Sequence, residues 1–462
     1  MRLQGSGEEW REMDETTVLY KPDDAQIAAA KQNIERIRKR DVELRLVGKD
    51  GKPLAEVPVE IVQLRSSFPW GDQLWALDRL YRFGQADTDK GKYLKRMHAG
   101  LLNAANALCY WTERDRNDGP KTEDIQGDPQ YDGFAYCVDW INSEGMIAKG
   151  HPLFWSIQKC VPEWVKRYDY DTQMKFAEVR VRSLVARFRG KVQIWDAVNE
   201  PMWEPAFKNL PKRNWPHIDP IPEIADYIQQ VLTWCRDEDP DAAFLINDYG
   251  MEANKGDDKP KIGSDGSQVT AASQRKRYLA LMRELQERGT PPDAIGLQAH
   301  TGGWLSHAMQ AAVYDEMATA GIPLHITEFW AHTRHLREKG IPEEQIGHVQ
   351  AEYVTNYMTV AFGHPAIGGF FFWGMMGDAV KWGEHSSHEP TVLYERMRKL
   401  LREEWMTRLT AKTDSEGRLK FRGFFGDYSV RYALSPKATR GEKFSVAQED
   451  AMPKTLELRR SQ

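Results

Sequence analysis

The sequence predicts an α/β protein with a (β/α)8, or TIM, barrel and a small β-sandwich module built from N- and C-terminal strands. Eight short apolar runs alternate with eight helical stretches between residues 66 and 405, as expected for parallel strands joined by right-handed crossovers. This span exceeds the roughly 250 residues of a typical barrel of this kind. Several runs end in polar residues, and active sites of such barrels form at the carboxyl ends of the strands. The fold class therefore also predicts where the functional residues lie.

The two ends of the chain carry the strands of the smaller module. Apolar and polar side chains alternate around Lys49-Asp50-Gly51-Lys52, which is a hairpin signal, and the same alternation returns in residues 413–432. Because an isolated hairpin is only marginally stable in water, we expect these strands to pair in one β-sandwich. Two separate decorations of the barrel are the alternative. The predicted division is an N-terminal extension over 1–40 with a helix at 27–40, strands of the module over 41–65, the barrel over 66–405, and the remaining strands and tail over 406–462.

The predicted barrel elements follow one another without interruption. The strand regions are, in order, SFPWGDQLW, LNAANALCYW, GMIAKGHPLFW, QIWDAVNE, AAFLINDYG, AIGLQAHTG, PLHITEF and AIGGFFFWG. The helices expected after them span 88–100, 131–145, 171–189, 220–237, 268–288, 305–320, 343–362 and 390–404.

Composition excludes several classes of function. The chain has 462 residues, of which 41% are hydrophobic and 28% charged, values typical of a soluble globular protein. A formal net charge of -5 argues against a nucleic-acid partner, and no run of about 18 apolar residues predicts a membrane span. The first residues, MRLQGSGEEWREMDE, lack the apolar core of a secretory signal. The compartment stays open: the protein is either intracellular, or secreted or periplasmic with its signal removed. Its oligomeric state is not predicted.

No metal site or cofactor is predicted. The four cysteines, at positions 109, 137, 160 and 235, form no CxxC pair, so a zinc site has no support. We expect buried free thiols, with a disulfide as the alternative.

Two of the predicted strands end in a glutamate. Val and Ile favour a buried strand in QIWDAVNEP, and Pro201 cannot donate to a β-ladder, so the fourth strand should stop at Glu200. The seventh strand ends in the same way at Glu328. The other strand ends and the following loops offer amide, imidazole, indole and carboxylate groups: His151, Trp155, Asn199, Asn247, Asp248, Tyr249, Gln298, His300, Trp373, Asp378 and Trp382.

Two carboxylates among amides, imidazoles and indoles are typical of a cleft that hydrolyses glycosidic bonds. This reaction needs one protonated acid and one ionised carboxylate around an oxocarbenium-like transition state. We assign Glu200 as the acid/base and Glu328 as the nucleophile. Strands four and seven lie on opposite sides of a closed barrel, so their ends can face each other. A retaining mechanism needs the carboxyl groups about 5–5.5 Å apart, and an inverting one needs roughly 6.5–9.5 Å.

The motifs GHPLFW, WDAVNEP, INDY, GLQAH, ITEF and FFWG, in this order over residues 66–405, resemble family 10 glycoside hydrolases. That family consists of endo-β-1,4-xylanases and their relatives, which are retaining (β/α)8 barrels. The resemblance implies that Glu200 is the acid/base and Glu328 the nucleophile. It also implies sugar-binding roles for His151, Trp155 and Asn199, a position beside the nucleophile for Gln298 and His300, and an aromatic wall of Trp373 and Trp382.

The sequence departs from the family in three motifs. The E-N-x-x-K pattern after the second strand is reduced to Asn106, the acid of ITELD becomes Trp330, and the His after Trp155 becomes Ser156. Each lost charge-assisted hydrogen bond to a sugar hydroxyl is worth roughly 1.5–3 kcal/mol. We therefore expect an altered glycone subsite that takes a decorated xylan, a short oligosaccharide or another β-glycan, with Asn106 still contacting substrate.

The sequence leaves three alternative functions open, and it leaves the roles of some residues near the site open. The chain is either a retaining endo-acting hydrolase of β-1,4-linked xylan or a related β-glycan, a non-catalytic carbohydrate-binding protein on a degenerate barrel, or an exo-glycosidase of the same fold. Asn247 and Asp248 are expected to support the site from behind, and Asp378 either binds at the rim or caps its loop. Trp203 and Trp215, in the loop after Glu200, either stack on the aglycone or pack in the protein.

Overall fold

The computed structural model describes residues 20–48, 50–112, 119–124, 126–211, 215–253, 261–301, 304–379, 389–435, 438–450 and 454–459. The strands β1 to β17 span Lys39–Val47, Pro58–Ser66, Trp70–Asp72, Ala104–Leu108, Ile147–His151, Ile194–Asn199, Ala243–Asp248, Lys261–Ile262, Gln268–Val269, Ala294–Leu297, Leu324–Phe329, Ile367–Phe372, Arg408–Lys412, Arg418–Phe424, Gly426–Ser435, Ala438–Val446 and Lys454–Arg459. The helices α1 to α12 span Asp24–Ile37, Trp75–Arg82, Asp89–Leu101, Asp132–Ser143, Tyr170–Arg187, Ile221–Glu238, Ala271–Glu287, His307–Ala318, Arg334–Glu338, Glu343–Phe362, Met376–Ala379 and Val392–Lys399.

Eight parallel strands form the barrel, which confirms the predicted fold class. Their order around the sheet is β3-β12-β11-β10-β7-β6-β5-β4, so each strand lies beside its neighbour in the chain. A parallel bridge between Gln73 and Asn106 and a hydrogen bond of 2.9 Å from Leu74 N–H to the Asn106 carbonyl connect the first strand to the second. The circle therefore closes, and the carboxyl ends of all eight strands meet at one rim. We number the barrel strands one to eight in chain order: β3, β4, β5, β6, β7, β10, β11 and β12.

The helices that surround the barrel each present an apolar face, and some of them also begin at a side-chain cap. Asp169 accepts a hydrogen bond of 2.9 Å from Thr172 N–H at the start of α5, and Thr270 and Ser273 form a reciprocal capping box at the start of α7. The apolar faces of these helices pack on the outside of the strands in one continuous core. Among the described residues, no helix is both long enough and apolar enough to cross a membrane.

The predicted β-sandwich is present and combines both ends of the chain. One sheet has the order β14-β1-β17 and the other β13-β2-β15-β16. Their facing side chains, among them Leu44, Ile61 and Val430, form a second apolar core. Because each sheet combines strands from both ends of the chain, we expect that neither end forms the sandwich without the other.

The hairpin turn predicted around Lys49-Asp50-Gly51-Lys52 is present, but its antiparallel pairing is short. The described part of this turn folds back, since Gly48 N–H donates to the Lys52 carbonyl over 2.8 Å and Val47 bridges Pro53. However, β1 pairs with β14 and β17, whereas β2 pairs with β13 and β15. The two strands therefore cross from one sheet of the sandwich to the other instead of pairing with each other.

The sandwich is attached to the base of the barrel through α1 and β1. Arg38 donates to the carbonyls of Phe362, His364 and Ile367 over 2.7–2.9 Å, where α10 ends and strand eight begins. Its guanidinium also lies 4.9 Å from the ring centroids of Phe68 and Phe362. These contacts are at the amino ends of the strands, opposite the rim that carries the polar strand ends. The four cysteines are buried free thiols, as predicted.

Candidate active site

A cleft of about 740 Å³ opens at the carboxyl-end rim of the barrel. Both predicted catalytic glutamates line it, together with most of the predicted sugar-binding residues. The cleft is lined by Tyr110, His151, Trp155, Ile157, Lys159, Asn199, Glu200, Trp203, Glu204, Trp215, Tyr249, Lys261, Gln298, His300, Thr301, Glu328, Trp330, His332, Arg334, His335, Glu338 and Trp373.

Glu200 follows the last residue of strand four and turns its carboxyl group into this cleft. Its φ of 57° is in the left-handed region, and its N–H donates to the Asn247 carbonyl on strand five over 2.7 Å. The side chain is 9% exposed and is held at both oxygens. Trp155 Nε1–H donates to Oε2 over 3.0 Å, and Gln298 Nε2–H donates to Oε1 over 3.1 Å. Strand ends three and six therefore fix the carboxyl group of strand four.

Glu328 lies in strand seven and is 4% exposed. Asn247 Nδ2–H donates to its Oε1 over 2.8 Å, and His300 Nε2 lies 2.9 Å from its Oε2. Burial alone would raise the pKa of Glu328, but the hydrogen bond from His300 and the nearby His151 and His300 imidazoles hold it below its usual value. The surroundings thus keep Glu328 ionised although it is buried.

A shared amide network connects the two carboxyl groups. Asn199 Oδ1 accepts a hydrogen bond of 2.8 Å from Asn247, which contacts Glu328, and one of 3.4 Å from Gln298, which contacts Glu200. Thr327 Oγ donates to Asn247 Oδ1 and so fixes which end of that amide faces Glu328. The ends of strands four, five, six and seven are therefore coupled in one buried hydrogen-bond network.

His151 stands at the end of a second polar chain that starts inside the barrel. Its Nδ1 lies 2.7 Å from Asp196 Oδ2, and Asp196 also pairs with the fully buried Lys149. Burial opposes ionisation of Asp196, but Lys149 and His151 overcome this effect and hold its pKa below the usual value. His151 Nε2 is 3.9 Å from Glu328 Oε1. The pair inside the barrel therefore fixes the imidazole orientation beside the nucleophile candidate.

The residue after Asn247 supports the loop that follows Glu200. Asp248 accepts hydrogen bonds of 2.8 Å from Met202 N–H and from Tyr249 N–H. Burial raises the pKa of Asp248 well above its usual value. Asp248 does not line the cleft, whereas Asn247 contacts Glu328 directly.

Aromatic side chains form the walls of the cleft. Trp203 stacks between Tyr249 and Trp215, with ring centroids 4.8 and 5.7 Å away. On another wall, the Trp373 centroid lies 5.2 Å from that of His151. Trp330 is 36% exposed within the cleft, and its Nε1–H donates to Asp378 over 3.0 Å. Asp378 thus supports an indole rather than lining the cleft itself.

Two predicted site residues are not placed in this cleft. Asn106 is 0% exposed in the middle of strand two and does not line the cavity, so the expected contact between Asn106 and substrate is not supported. Tyr110, four residues later, occupies the cleft at this strand end. Trp382 lies outside the described residues.

Several residues of the site were not singled out from the sequence. Lys149 and Asp196 had a usable signal, because charged residues inside apolar strand segments are rarely buried without a partner. The loop and short helix after strand seven also contribute His332, Arg334, His335 and Glu338.

Comparison with known proteins decides the family. The model of glycosyl hydrolase family 10 matches residues 115–400. This chain belongs to glycosyl hydrolase family 10. The resemblance inferred from the motifs is therefore confirmed at the level of the family.

The curated proteins that this chain resembles carry different descriptions. Anti-sigma-I factor RsgI6 of Acetivibrio thermocellus is 26% identical over 417 residues, which cover 89% of this chain and 47% of that protein. Endo-1,4-beta-xylanase 1 of Arabidopsis thaliana is 25% identical over 435 residues, covering 92% of this chain and 40% of that protein. The chain thus spans less than half the length of these two curated relatives.

The fold is shared with solved family members. Xylanase 10B from Thermotoga petrophila RKU-1, solved in complex with xylobiose, superposes with a TM-score of 0.51 at 20% identity. The superposition covers 73% of this chain and 95% of that one.

Proposed function

We propose that this family 10 member is a retaining, endo-acting glycoside hydrolase that cleaves β-1,4-linked xylan or a related β-glycan by double displacement. Glu200 acts as acid/base and Glu328 as nucleophile. The observation that carries the proposal is that both carboxyl groups line one cleft and share one amide network, and that His300 bonds Glu328 and lowers its pKa. Two carboxyl groups in unlike surroundings can take the two unlike roles that the reaction needs.

In the first step, the ionised Glu328 attacks the anomeric carbon of the bound sugar while the glycosidic C–O bond breaks. Glu200 donates its proton to the departing oxygen, so the aglycone leaves as a neutral alcohol. In the second step, Glu200 takes a proton from water, and the resulting hydroxide attacks the anomeric carbon and releases Glu328. Both glutamates end in the state in which they began.

The surrounding side chains support this division of roles. His300 and Asn247 donate to Glu328 and stabilise its negative charge before attack. Trp155 and Gln298 hold Glu200 at both oxygens, so the carboxyl group points at one position in the cleft. Asn199 and His151 line the cleft beside both groups and supply hydrogen-bonding atoms for sugar hydroxyls.

An altered glycone subsite is part of the proposal. Tyr110 lines the cleft where strand two ends, and Cys109 beside it is fully buried. Trp330 presents an aromatic surface beside Glu328 where an acid is usual in the family. Aromatic surface in place of charged groups favours a substrate with fewer hydroxyl contacts there, such as a decorated xylan, a short oligosaccharide or another β-glycan. Hydrolysis rates on linear xylan and on a panel of β-glycans test this, and a preference for linear xylan by orders of magnitude would refute it.

The catalytic assignment is tested with Glu200→Gln, Glu328→Gln and Glu338→Gln. Glu338 lines the same cleft but contacts neither catalytic carboxyl group in the structure, so Glu338→Gln is the matched control. We expect Glu200→Gln and Glu328→Gln to lose turnover of a responsive glycan yet still bind it by calorimetry, while the control keeps both properties. Binding without turnover in the unmodified protein would instead indicate a carbohydrate-binding protein. Release of single sugars rather than mixed oligomers would indicate an exo-glycosidase.

A further inference from the structure

Ala299 separates the two side chains of strand end six that contact the catalytic glutamates. Gln298 donates to Glu200, and His300 contacts Glu328. The φ of Ala299 is 57°, in the left-handed region that residues with a Cβ atom rarely adopt. Such a conformation persists only where the surrounding structure stabilises it.

The carboxyl group of Glu252, four residues after strand five, contacts the backbone of this turn. Glu252 Oε1 accepts a hydrogen bond of 3.0 Å from Ala299 N–H. The side chain is only 3% exposed, and its Oε2 has no hydrogen-bond partner within the part of the chain that the structure describes. Glu252 does not line the cleft, so it has no direct contact with substrate.

Glu252 is itself held in place by the helix that follows. Arg275 on α7 donates to the carbonyl of Met251 over 2.8 Å and pairs with Glu316 of α8 over 2.5 Å. The backbone that carries Glu252 is thereby tied to two outer helices. Burial raises the pKa of Glu252 to about 7, so the side chain is a neutral carboxyl group in acidic solution.

We propose that Glu252 is a positioning residue: its hydrogen bond to the Ala299 peptide holds the left-handed turn that aims Gln298 at Glu200 and His300 at Glu328. This inference rests on the proposed function, because it assigns roles through the two catalytic glutamates. A single buried acceptor thus orients one of the contacts made to each catalytic carboxyl group. Without it, Ala299 relaxes toward an extended or helical conformation, and both contacts lengthen.

A glycine at position 299 separates positioning from simple packing. Glycine adopts the left-handed region about as readily as the right-handed one, so Ala299→Gly lowers the cost of the turn and lessens its dependence on Glu252. If Glu252 acts through the turn, Ala299→Gly partly rescues the loss caused by Glu252→Ala. If Glu252 merely fills space in the core, the glycine restores nothing.

The test compares the wild type with Glu252→Ala, Glu252→Gln, Ala299→Gly and the double variant Glu252→Ala/Ala299→Gly. The amide of Gln keeps a carbonyl acceptor for Ala299 N–H, so we expect Glu252→Gln to stay within threefold of wild-type kcat/KM. We expect Glu252→Ala to lose at least tenfold and the acid limb of its pH profile to move upward, since His300 no longer bonds Glu328 firmly. The kcat/KM of the double variant should be at least threefold higher than that of Glu252→Ala. The proposal is overturned if Glu252→Ala keeps the kcat/KM and the acid limb of the wild type. It is also overturned if the kcat/KM of the double variant is no higher than that of Glu252→Ala.

Two further measurements keep the test independent of folding and of turnover. Ala299→Val strains the turn while Glu252 stays intact, and we expect the same shift of the acid limb; an unshifted limb contradicts the proposal.

By NMR, the His300 Nε2 proton that faces Glu328 should exchange slowly with solvent in the wild type and much faster in Glu252→Ala. Equal exchange rates overturn the positioning role even if no glycan is hydrolysed. Lack of turnover in a wild type with protected His300 would count against the proposed function alone.

Discussion

Replacing His300 by alanine tests how the chain keeps its buried nucleophile candidate ionised. His300 Nε2 lies 2.9 Å from Glu328 Oε2, and this contact is the main influence that lowers the pKa of Glu328 against the effect of burial. A hydrogen bond to a charged group is worth roughly 1.5–3 kcal/mol, and one pKa unit corresponds to about 1.4 kcal/mol. Loss of the imidazole should therefore raise the pKa of Glu328 by about 1–2 units.

Only ionised Glu328 can attack, so a higher pKa removes active enzyme at low pH and leaves it at high pH. The assay is kcat/KM between pH 4 and pH 8 on a soluble aryl glycoside. We expect the acid limb of His300→Ala to lie about 1–2 pH units above that of the wild type. His335→Ala is the matched control, because His335 lines the same cleft but packs on Trp304, 4.9 Å between ring centroids. An acid limb that stays in place in His300→Ala would refute the reasoning.

Three further predictions concern Glu252, Trp330 and Trp155. Since burial raises the pKa of Glu252 from 4.5 to about 7, its folded state binds the proton more tightly than the unfolded chain, and stability present below pH 4.5 is lost as pH rises through 7. Relative to Glu252→Gln, the wild type should lose about 3 kcal/mol of unfolding free energy between pH 4 and pH 8, as measured by denaturant titration. The same pH dependence of the unfolding free energy in both proteins would contradict this. Trp330→Ala should raise KM for longer oligosaccharides about tenfold while Trp330→Phe does not, and equal KM values for all three proteins would exclude a stacking role. Trp155→Phe removes the 3.0 Å donor to Glu200 and should lower kcat about tenfold, whereas an unchanged kcat would show that this bond is dispensable.

The barrel could be predicted from the sequence because its signals are local and repeated. Each apolar run is short, several helices begin at side-chain caps such as Asp169 and Thr270, and the strand regions predicted over QIWDAVNE and PLHITEF contain the observed strands Ile194–Asn199 and Leu324–Phe329. The strand ends then determined which polar residues meet, because parallel strands place their carboxyl ends at one rim. Glu200 and Glu328 line one cleft for this reason, although they are far apart in the chain.

Other features depend on contacts that no local pattern encodes. The turn after β1 looks like a hairpin, but which sheet each strand joins is decided by β14 and β15, more than 350 residues later. Asn106 was placed at the strand end by motif alignment, whereas the pleat and the bridge to Gln73 bury it inside the barrel. The left-handed turn at Ala299 had no signal at all, because alanine carries none of the preference for positive φ that glycine or asparagine would show.

The covalent step is the central claim, and trapping it tests the account most directly. A 2-deoxy-2-fluoro β-glycoside of a hydrolysed sugar slows the second step more than the first, so the glycosyl-enzyme accumulates and can be located by peptide mass spectrometry. We predict one added glycosyl group per chain, attached to the peptide that contains Glu328 and absent in Glu328→Gln. Attachment to another residue, or time-dependent hydrolysis that never yields an adduct and releases product of inverted configuration, would contradict the assignment of Glu328 as nucleophile.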